Sequence, residues 1–294
     1  MPDAKRKQKR EVSITVSIIG TGRLGTALAV ALADKSYSIQ SLAARTVASA
    51  RKAAKLLDPL DDAAQVLAAK NLGSLRPADL FLITTPDDQI AHVASQLARL
   101  NPPRRSTALH TSGALSAEVL APLRKRGWST GSIHPLISVS GSTTALDGAF
   151  WSVEGDKTAL RVGKTIVRDL GGKSFSIRSE DKPLYHAAAV MSAGNVVALF
   201  DVALEMLVQC GLTRKTARSI LLPLLASTVH NLETKDPAAA LTGTFARGDV
   251  ETVKRHLKAL KINKDALDLY RLLGKRSLKL TKDHPQITQM LDSV

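Results

Sequence analysis

The sequence predicts an α/β fold in which a doubly wound parallel sheet over residues 12–178 is followed by an all-α domain over residues 179–294. Three observations lead to this prediction. A glycine-rich turn joins an apolar strand-like run to a helical run, strand and helix patterns then alternate, and only helical patterns follow Ser179. With 294 residues, of which 44% are hydrophobic, the chain is long enough for about two domains.

The glycine-rich turn at residues 20–25 has the spacing G-x-G-x-x-G, which is the dinucleotide-binding fingerprint of the Rossmann fold. The first glycine is expected to form the tight turn, the second to admit a pyrophosphate, and the third to let the helix lie close to the sheet. The helix N-terminus would present N–H groups to the phosphates. The alternative is a glycine-bearing turn in an unrelated α/β domain. We expect the cofactor to contact the whole turn: Gly20, Thr21, Gly22, Arg23, Leu24 and Gly25.

The end of the second predicted strand, about twenty residues beyond Gly25, bears on the choice of cofactor. An acidic residue there binds the ribose of NAD, whereas an arginine accommodates the 2′-phosphate of NADP. Arg45 and Thr46 stand at this position and favour NADP, although an ordinary exposed arginine is the alternative. Ligands of such sheets lie outside the carboxyl ends of the strands. Further cofactor contacts are therefore expected from Thr85, Pro86, His110 and Ser112.

Hydrophobic patterning gives the remaining elements. Residues 53–78 are rich in Ala and Asp and show no clean strand, so we expect a helix and an irregular link there. One long helix is expected from Pro183 to Cys210, ending at Gly211. The predicted strands are Val12–Ile19, Tyr37–Ala44, Asp79–Thr85, Thr107–His110, Trp128–Ile133, Phe150–Glu154 and Lys173–Ile177.

Two histidines, His110 and His134, fall at the ends of predicted strands and should face the same crevice as the glycines. Either could act as a general acid or base, because an imidazole titrates near neutrality. The alternative is that each imidazole hydrogen-bonds loop backbone. No metal site is expected, because the histidines lack helical ligand spacing and the chain has no H-E-x-x-H motif.

The formal charge of +15 is concentrated at the two ends of the chain. Residues 1–10 carry five basic side chains, and residues 250–282 carry ten against three acids. Aromatic residues make up only 3% of the chain, and neither basic cluster contains Phe or Trp, so we expect no nucleic-acid partner. Residues 1–11 are expected to form a disordered basic tail.

The single cysteine, Cys210, excludes an internal disulfide and favours a reducing cytoplasm. The basic start and the apolar run after it imitate a signal peptide, but the run leads into the glycine turn and not into a cleavage site, so secretion is not expected. The apolar stretch Ala187–Cys210 is long enough to cross a bilayer. It contains Asn195, Asp201, Glu205 and Gln209 within one third of the helix circumference, so we interpret it as a buried helix with one polar stripe and expect no membrane partner.

Taken in order, several motifs resemble a family of Rossmann-like proteins whose C-terminal half is a domain of unknown function. That family is itself similar to pyrroline-5-carboxylate reductase, ketopantoate reductase and deazaflavin-dependent NADP oxidoreductases. The motifs cover nearly all of residues 12–262: Gly20–Gly25, His110–Gly113, Gly131–Leu136, Tyr185–Ala189, Asn195, Leu241–Gly243 and Arg247–Asp249.

The resemblance implies an NADP-binding domain followed by a helical domain like that of 6-phosphogluconate dehydrogenase, with the substrate in the cleft between them. In the related hydroxyacid enzymes a Lys and an Asn close together on the first interdomain helix carry catalysis. Here Lys182 and Asn195 are thirteen residues apart, about 20 Å along a straight helix, so this pair is not carried over. Thr244 stands where the family proline is expected.

These features predict an NADP-dependent oxidoreductase that acts on a C=O or C=N bond of a small polar metabolite. His134, His186 and Tyr185 are the expected proton donors, and Asn195 would orient the substrate. A protein that senses NADP(H) or a metabolite without chemistry is the alternative, because a fold alone does not establish a function. We also expect a homodimer, since the related reductases pair such helices between subunits.

Overall fold

The computed structural model describes residues 14–35, 37–57, 64–100, 106–141, 144–282 and 284–293, so the expected basic tail lies outside the described residues. The chain forms one eight-stranded sheet with the strand order β3-β2-β1-β4-β5-β6-β7-β8. The predicted fold class, a doubly wound sheet followed by helices, is confirmed. The strands are β1 (Thr15–Ile19), β2 (Ser38–Ala44), β3 (Gln65–Ala68), β4 (Leu80–Ile83), β5 (Thr107–His110), β6 (Ser129–Pro135), β7 (Phe150–Gly155) and β8 (Lys173–Phe175).

Both faces of the sheet are buried, as parallel strands require. In β4, Leu80 and Leu82 belong to one hydrophobic cluster, and the alternate residues Phe81 and Ile83 belong to the other. The helices that cover these faces are α1 (Arg23–Ala33), α2 (Val47–Ala54), α3 (Asp87–Leu97), α4 (Ala121–Arg124) and α5 (Lys157–Asp169), joined by short 3₁₀ segments at Ala69–Ser74, Ala117–Leu120 and Ser179–Asp181.

The sheet differs from the prediction at both edges. β3 lies within residues 53–78, where no strand was expected. Among the described strands its four residues pair with β2 alone, and Gln65 accepts from the Ser41 hydroxyl at 3.0 Å. β7 pairs antiparallel with β6, whereas the other neighbouring strands are parallel. An antiparallel pair needs no helical crossover, which is why the connection between these strands carries none.

The chain divides into two compact units between Ala193 and Gly194. The first unit ends with α6 (Lys182–Ser192). In the second unit the elements of the described residues are all helices, in agreement with the predicted all-α region. They are α7 (Gly194–Gln209), α8 (Arg214–Thr234), α9 (Pro237–Ala240), α10 (Thr244–Arg247), α11 (Val250–Leu260), α12 (Lys264–Leu278) and α13 (Pro285–Asp292).

The prediction of one regular helix from Pro183 to Cys210 is wrong. The backbone leaves the helical region at Ala193, with φ −126° and ψ −76°, so the segment is two helices, α6 and α7. Gly194 follows the break, and the Ser192 hydroxyl donates to the carbonyl of Ala188 at 3.0 Å, a local bond that competes with regular helix geometry.

The interpretation of this segment as buried within the chain is also wrong. On α7 only Leu204 is fully buried, and Val197 is 70% exposed. Residues 179–209 are long and apolar enough to cross a bilayer by length and composition alone, with 6% of the most apolar window buried. The second unit by itself therefore leaves apolar side chains of α7 exposed.

Candidate cofactor and active site

The three fingerprint glycines have the roles that their spacing predicts. Gly20 has φ +109°, and a Cβ on it would lie 2.7 Å from the carbonyl of Thr84 at the end of β4. A Cβ on Gly25 would lie 1.8 Å from the Gly20 carbonyl oxygen, so only glycine lets α1 approach the turn this closely. At Gly22 nothing lies within 4 Å of the Cβ position, so the backbone stays open to a ligand.

The start of α1 fits the pyrophosphate of a dinucleotide. Gly22 is the N-cap residue, no side chain caps the helix, and the first turn carries no acidic residue, so its N–H groups and dipole are available to an anion. The hydroxyls of Thr21 and Thr85 are buried beside this turn without a hydrogen-bond partner among the described residues. Buried polar atoms normally have partners, so these two hydroxyls fit contacts to a bound cofactor.

Arg45 and Thr46 follow β2 directly, at the edge of the sheet where the 2′-phosphate of NADP is expected. Thr46 caps α2, because its hydroxyl accepts from the Ser49 N–H at 3.2 Å. Arg45 is exposed one residue before this cap. A guanidinium beside a helix N-terminus is a suitable environment for a phosphate.

A cavity of about 300 Å³ opens at the same edge of the sheet, within the first unit. Arg23 and Leu24 of α1 line one side, and Asp87 from the first turn of α3 lies beside them. The remaining wall comes from the loop after β5, the end of β6 with the segment that follows it, and α6; its residues are Thr111, Ser112, Gly113, His134, Pro135, Ile137, Val139 and His186. The cavity thus joins the start of α1 to two of the histidines that the sequence singled out.

His134 lies at the end of β6 and contacts α6. Its Nδ1 is 2.7 Å from the Tyr185 hydroxyl, and the two rings pack edge to face. Burial, the neighbouring His186 and then Lys182 lower the pKa of His134 to about 4, while burial raises the pKa of Tyr185 to about 12. Both side chains are therefore neutral near pH 7, with a tyrosine proton available to the imidazole.

His186 completes this group from the next position of α6. Its ring centroid is 5.6 Å from that of His134, and its Nδ1 is buried without a hydrogen-bond partner among the described residues. A Cβ on Gly113 would lie 2.5 Å from His186 Nδ1 and 2.8 Å from His134 Nε2, so the loop passes closely against both imidazoles. Two of the four predicted catalytic residues, His134 and His186, therefore line one cavity, and a third, Tyr185, contacts His134 behind its wall. Asn195, at the second position of α7, belongs to the other unit, and its role stays a prediction.

His110 has a different role from that expected of a cofactor ligand. It is fully buried, its Nε2 is 3.1 Å from the Ser116 carbonyl, and its Nδ1 accepts from the Ser112 N–H at 3.2 Å. Burial is the main cause that lowers its pKa to about 3. Both ring nitrogens are thus used by loop backbone, which is the alternative that the sequence left open, and no ring nitrogen remains for a ligand.

Ser112, also expected to contact the cofactor, holds its loop in shape through its side chain. Its hydroxyl donates to Asp87 at 2.8 Å and accepts from the N–H groups of Ala114 and Leu115 at 3.1 and 3.0 Å. The hydroxyl is therefore occupied by the protein, and Ser112 offers a ligand mainly its backbone.

The ion pair between Lys182 and Glu154 is a feature of the site that the sequence reasoning missed. Lys182 was set aside because of its distance from Asn195, yet it is fully buried directly under the loop, with Nζ 3.3 Å from the Ser112 carbonyl oxygen. The spacing of Lys182 to His186, four residues on one helix, could have indicated that the two side chains share a face. Among the described residues no group of His, Cys, Asp and Glu side chains could hold a metal ion.

Comparison with known proteins finds two domain families along the chain. The description "Rossmann-like domain" matches residues 1–135, and the description "Domain of unknown function (DUF2520)" matches residues 149–277. The chain belongs to the proteins that join these two domains. No curated protein matches the sequence.

Three solved structures illustrate the likeness of the fold. A candidate NADP oxidoreductase from Bacteroides fragilis is 22% identical, with 91% of this chain and 98% of that chain covered and a TM-score of 0.76. A Thermotoga maritima protein is 25% identical over the same shares, with a TM-score of 0.70. A pyrroline-5-carboxylate reductase from Coxiella burnetii is 15% identical, with 92% and 100% covered and a TM-score of 0.57. The chain thus shares the fold of these proteins over 91–92% of its residues.

We predict that one added methyl group affects mainly stability at Gly25 and mainly dinucleotide affinity at Gly22. Gly25→Ala should lower the free energy of unfolding by about 3 kcal/mol, because the methyl group meets backbone. Gly22→Ala should lower it by about 1 kcal/mol or less, because the position is open, while dinucleotide affinity falls at least about tenfold. Thermal unfolding and calorimetric titration with NADP check both variants. Equal destabilisation of the two variants would contradict the packing described here.

The buried histidines predict acid sensitivity. His110 is neutral in the folded chain with a pKa of about 3, while an unfolded histidine has a pKa of about 6.5. Its stabilising contribution is therefore fully present above pH 6.5 and is lost as the pH falls toward 3, because the unfolded chain binds the proton first. His110→Gln should flatten the decline in melting temperature between pH 6.5 and pH 4.

The matched control is His92→Gln, which removes an exposed imidazole on α3. Its melting temperature should follow that of the unmodified protein at every pH. A decline in His110→Gln that is as steep as in the control would show that His110 does not contribute.

Proposed function

We propose that this protein is an NADP-dependent oxidoreductase that acts on a C=O or C=N bond of a small polar metabolite. The observation that carries the proposal is the junction of the glycine cradle with the histidine cavity: Arg23 and Leu24 belong to the first turn of α1 and also line the cavity. A dinucleotide held by its pyrophosphate at Gly22 would thus be bound next to a chamber with proton donors. When bound, the nicotinamide supplies or takes up a hydride.

The chain's own part in this chemistry is to hold and move a proton. Reduction of C=O or C=N requires one proton on the oxygen or nitrogen in addition to the hydride. With the Tyr185 hydroxyl donating to Nδ1 of His134, the imidazole keeps its proton on Nε2, which faces Gly113 at the cavity wall. His134 would deliver this proton as its Nδ1 takes the proton of Tyr185, and the Tyr185 phenolate would then be reprotonated from solvent; oxidation would run the same transfers in reverse.

His186 would bind the polar atom of the substrate. Its buried Nδ1 is next to Gly113 and lacks a partner among the described residues, so a substrate oxygen or nitrogen could complete its hydrogen bonding. The name of the Coxiella relative, pyrroline-5-carboxylate reductase, supports a C=N substrate as well as a C=O substrate. A nicotinamide assay over imines, 2-oxo acids and lactones tests the proposal. Tight NADP binding without turnover of any of these would favour the sensing role.

We propose NADP as the cofactor and not NAD, because Arg45 stands where an acidic residue would contact the ribose of NAD. Arg45 lies between Ala44, the last residue of β2, and the cap residue Thr46, and α2 carries Arg51 and Lys52, so the local charge is positive. The expected homodimer also becomes a proposal. Two helices of the second unit leave large apolar side chains exposed: Val197, Leu199 and Val208 on α7, and Ile220, Leu222, Leu224, Val229 and Leu232 on α8.

A second copy of the chain would cover this surface. Soluble monomers rarely expose large apolar surfaces, whereas dimer interfaces have an apolar centre. Asp201 on α7 and Arg214 at the start of α8 form an ion pair at the side of these helices, so the polar stripe is already partly satisfied within the unit.

The preference for NADP over NAD should depend on Arg45. Charge-assisted contacts of about 1.5–3 kcal/mol from Arg45 to the 2′-phosphate should favour NADP over NAD about 10- to 150-fold. Arg45→Asp should reverse the preference, and Arg161→Asp, an exposed arginine on α5, should leave it in place. Calorimetry that gives equal affinities for NADP and NAD in the unmodified protein would contradict the proposal.

Proton transfer gives the next prediction. His134→Gln should lower turnover by about 10²- to 10⁴-fold, because general acid catalysis is lost, with little change in NADP affinity. Asn195→Ala should also lower turnover more than NADP affinity, since Asn195 is proposed to meet the substrate. Initial rates and cofactor titration measure both effects. Full turnover in either variant would remove that residue from the site.

The dimer gives the last prediction of this section. Val197→Glu places a charge on the exposed face of α7; it should leave the melting temperature of the isolated chain nearly unchanged and convert the dimer to a monomer. Lys164→Glu, an exposed change on α5, is the control and should stay dimeric. Sedimentation or light scattering decides the result, and an unmodified protein that is monomeric at high concentration would refute the dimer.

A further inference from the structure

A fully buried ammonium lies under the wall of the cavity and has no assigned role in the proposed chemistry. Lys182 is 0% exposed, whereas lysine is almost never fully buried unless it is paired. It is not among the described residues that line the cavity. Nζ therefore does not contact a ligand in this cavity directly.

The three N–H donors of the ammonium face three oxygen acceptors. Nζ is 2.6 Å from Ser132 Oγ on β6, 3.3 Å from the Ser112 carbonyl oxygen, and 3.8 Å from the Glu154 carboxylate on β7. The Ser132 hydroxyl accepts from Lys182, and its own proton is directed to Glu154 at 3.3 Å. Two hydrogen bonds therefore hold the ammonium, and the carboxylate balances its charge at ion-pair distance.

Glu154 ties the cluster to the surrounding backbone. Both carboxylate oxygens accept from the Ala117 N–H, at 3.0 and 3.2 Å. One of them, Oε1, also accepts from the Ser179 hydroxyl at 2.9 Å. The carboxylate therefore links β7 to the 3₁₀ segment after the loop and to the segment that leads into α6. The loop carrying Ser112 and the helix carrying His186 are thus fixed to the same ion pair.

We propose that Lys182 is a positioning residue: its buried ammonium holds the Ser112 carbonyl and the Ser132 hydroxyl, and so fixes the Gly113 backbone against the imidazoles of His134 and His186. Gly113 follows Ser112 directly, and it lies so close to the two imidazoles that even a Cβ on it would collide with both rings. The charge is part of the role, because a neutral side chain would leave the Ser112 carbonyl without this donor and Glu154 without its ion-pair partner.

The same charge acts on the imidazoles. Burial, His186 and Lys182 together lower the pKa of His134, so loss of the ammonium should raise it. The other charged or titratable groups around this wall must be unchanged for the comparison to hold; they are Arg23 on α1, Asp87 on α3, His110 on β5, Glu154 on β7, and Tyr185 and His186 on α6.

The proposal rests on the proposed role of His134 and His186, but its test needs neither substrate nor cofactor. Lys182→Met removes the charge and all three donors at similar length. In the full-length protein, the Ala114 and Leu115 amides, which donate to Ser112 Oγ, should exchange with solvent about tenfold faster or more. The His134 titration midpoint, followed by imidazole NMR, should rise by about half a pH unit or more.

Two controls separate charge from packing. Ser132→Ala disturbs the cluster but keeps the ammonium, so amide exchange should accelerate while the His134 midpoint stays where it is. Lys164→Met removes an exposed lysine from α5 and should change neither quantity. A folded Lys182→Met variant with unchanged exchange and an unchanged midpoint would overturn the proposal.

A double variant guards against loss of folding. Removing Lys182 alone leaves Glu154 as an uncompensated buried charge, which is strongly destabilising. Lys182→Met combined with Glu154→Gln removes both charges, and the accelerated exchange should persist, while the His134 midpoint is compared only in Lys182→Met, where Glu154 is unchanged. If neither variant folds where Ser132→Ala does, Lys182 serves the folding of the whole unit, and the positioning role is overturned. If the histidines later prove to have no part in turnover, these measurements still stand as a description of the loop.

Discussion

The close approach of α1 to the ends of β1 and β4 is the contact on which the rest of the site depends. A Cβ on Gly20 or Gly25 would collide with backbone, so the helix can begin here only because both side chains are absent. That approach directs the N–H groups of α1 at the space above Gly22, and it brings Arg23 and Leu24 to the cavity. Because protein interiors are close-packed, the turn cannot shift to make room for a side chain at either glycine.

The wall opposite α1 is held by polar groups. His110 and Ser112 shape the loop after β5 with backbone hydrogen bonds, and Lys182 and Glu154 join that loop to α6. These buried groups have partners on every side, so each stabilises the loop only while its neighbours stay in place. His134 lies at the end of β6, and Tyr185 and His186 lie on the first turns of α6, next to these buried groups. The geometry therefore supports a cofactor on one side and proton transfer on the other.

Local patterns predicted the parts of this protein that depend on local physics. The glycine spacing identified the cradle because the steric limits at Gly20 and Gly25 act within a few residues of the chain. Strand ends identified His134, and the parallel sheet brought it beside the β5 loop. The edge strand β3 escaped prediction because four residues with one neighbour need little hydrophobic alternation. Lys182 escaped because its burial is set by acceptors fifty and seventy residues earlier in the chain. The break at Ala193 separates α6 from α7 without a proline to mark it.

The central claim is that one dinucleotide occupies the cradle and extends to the histidine cavity. NMR titration of the protein with NADP, followed at the Gly22 amide and at the imidazoles of His134 and His186, tests it directly. The account predicts that all three signals move together and saturate with one dissociation constant. A titration in which NADP shifts the imidazoles but not Gly22, or shifts neither, would contradict it.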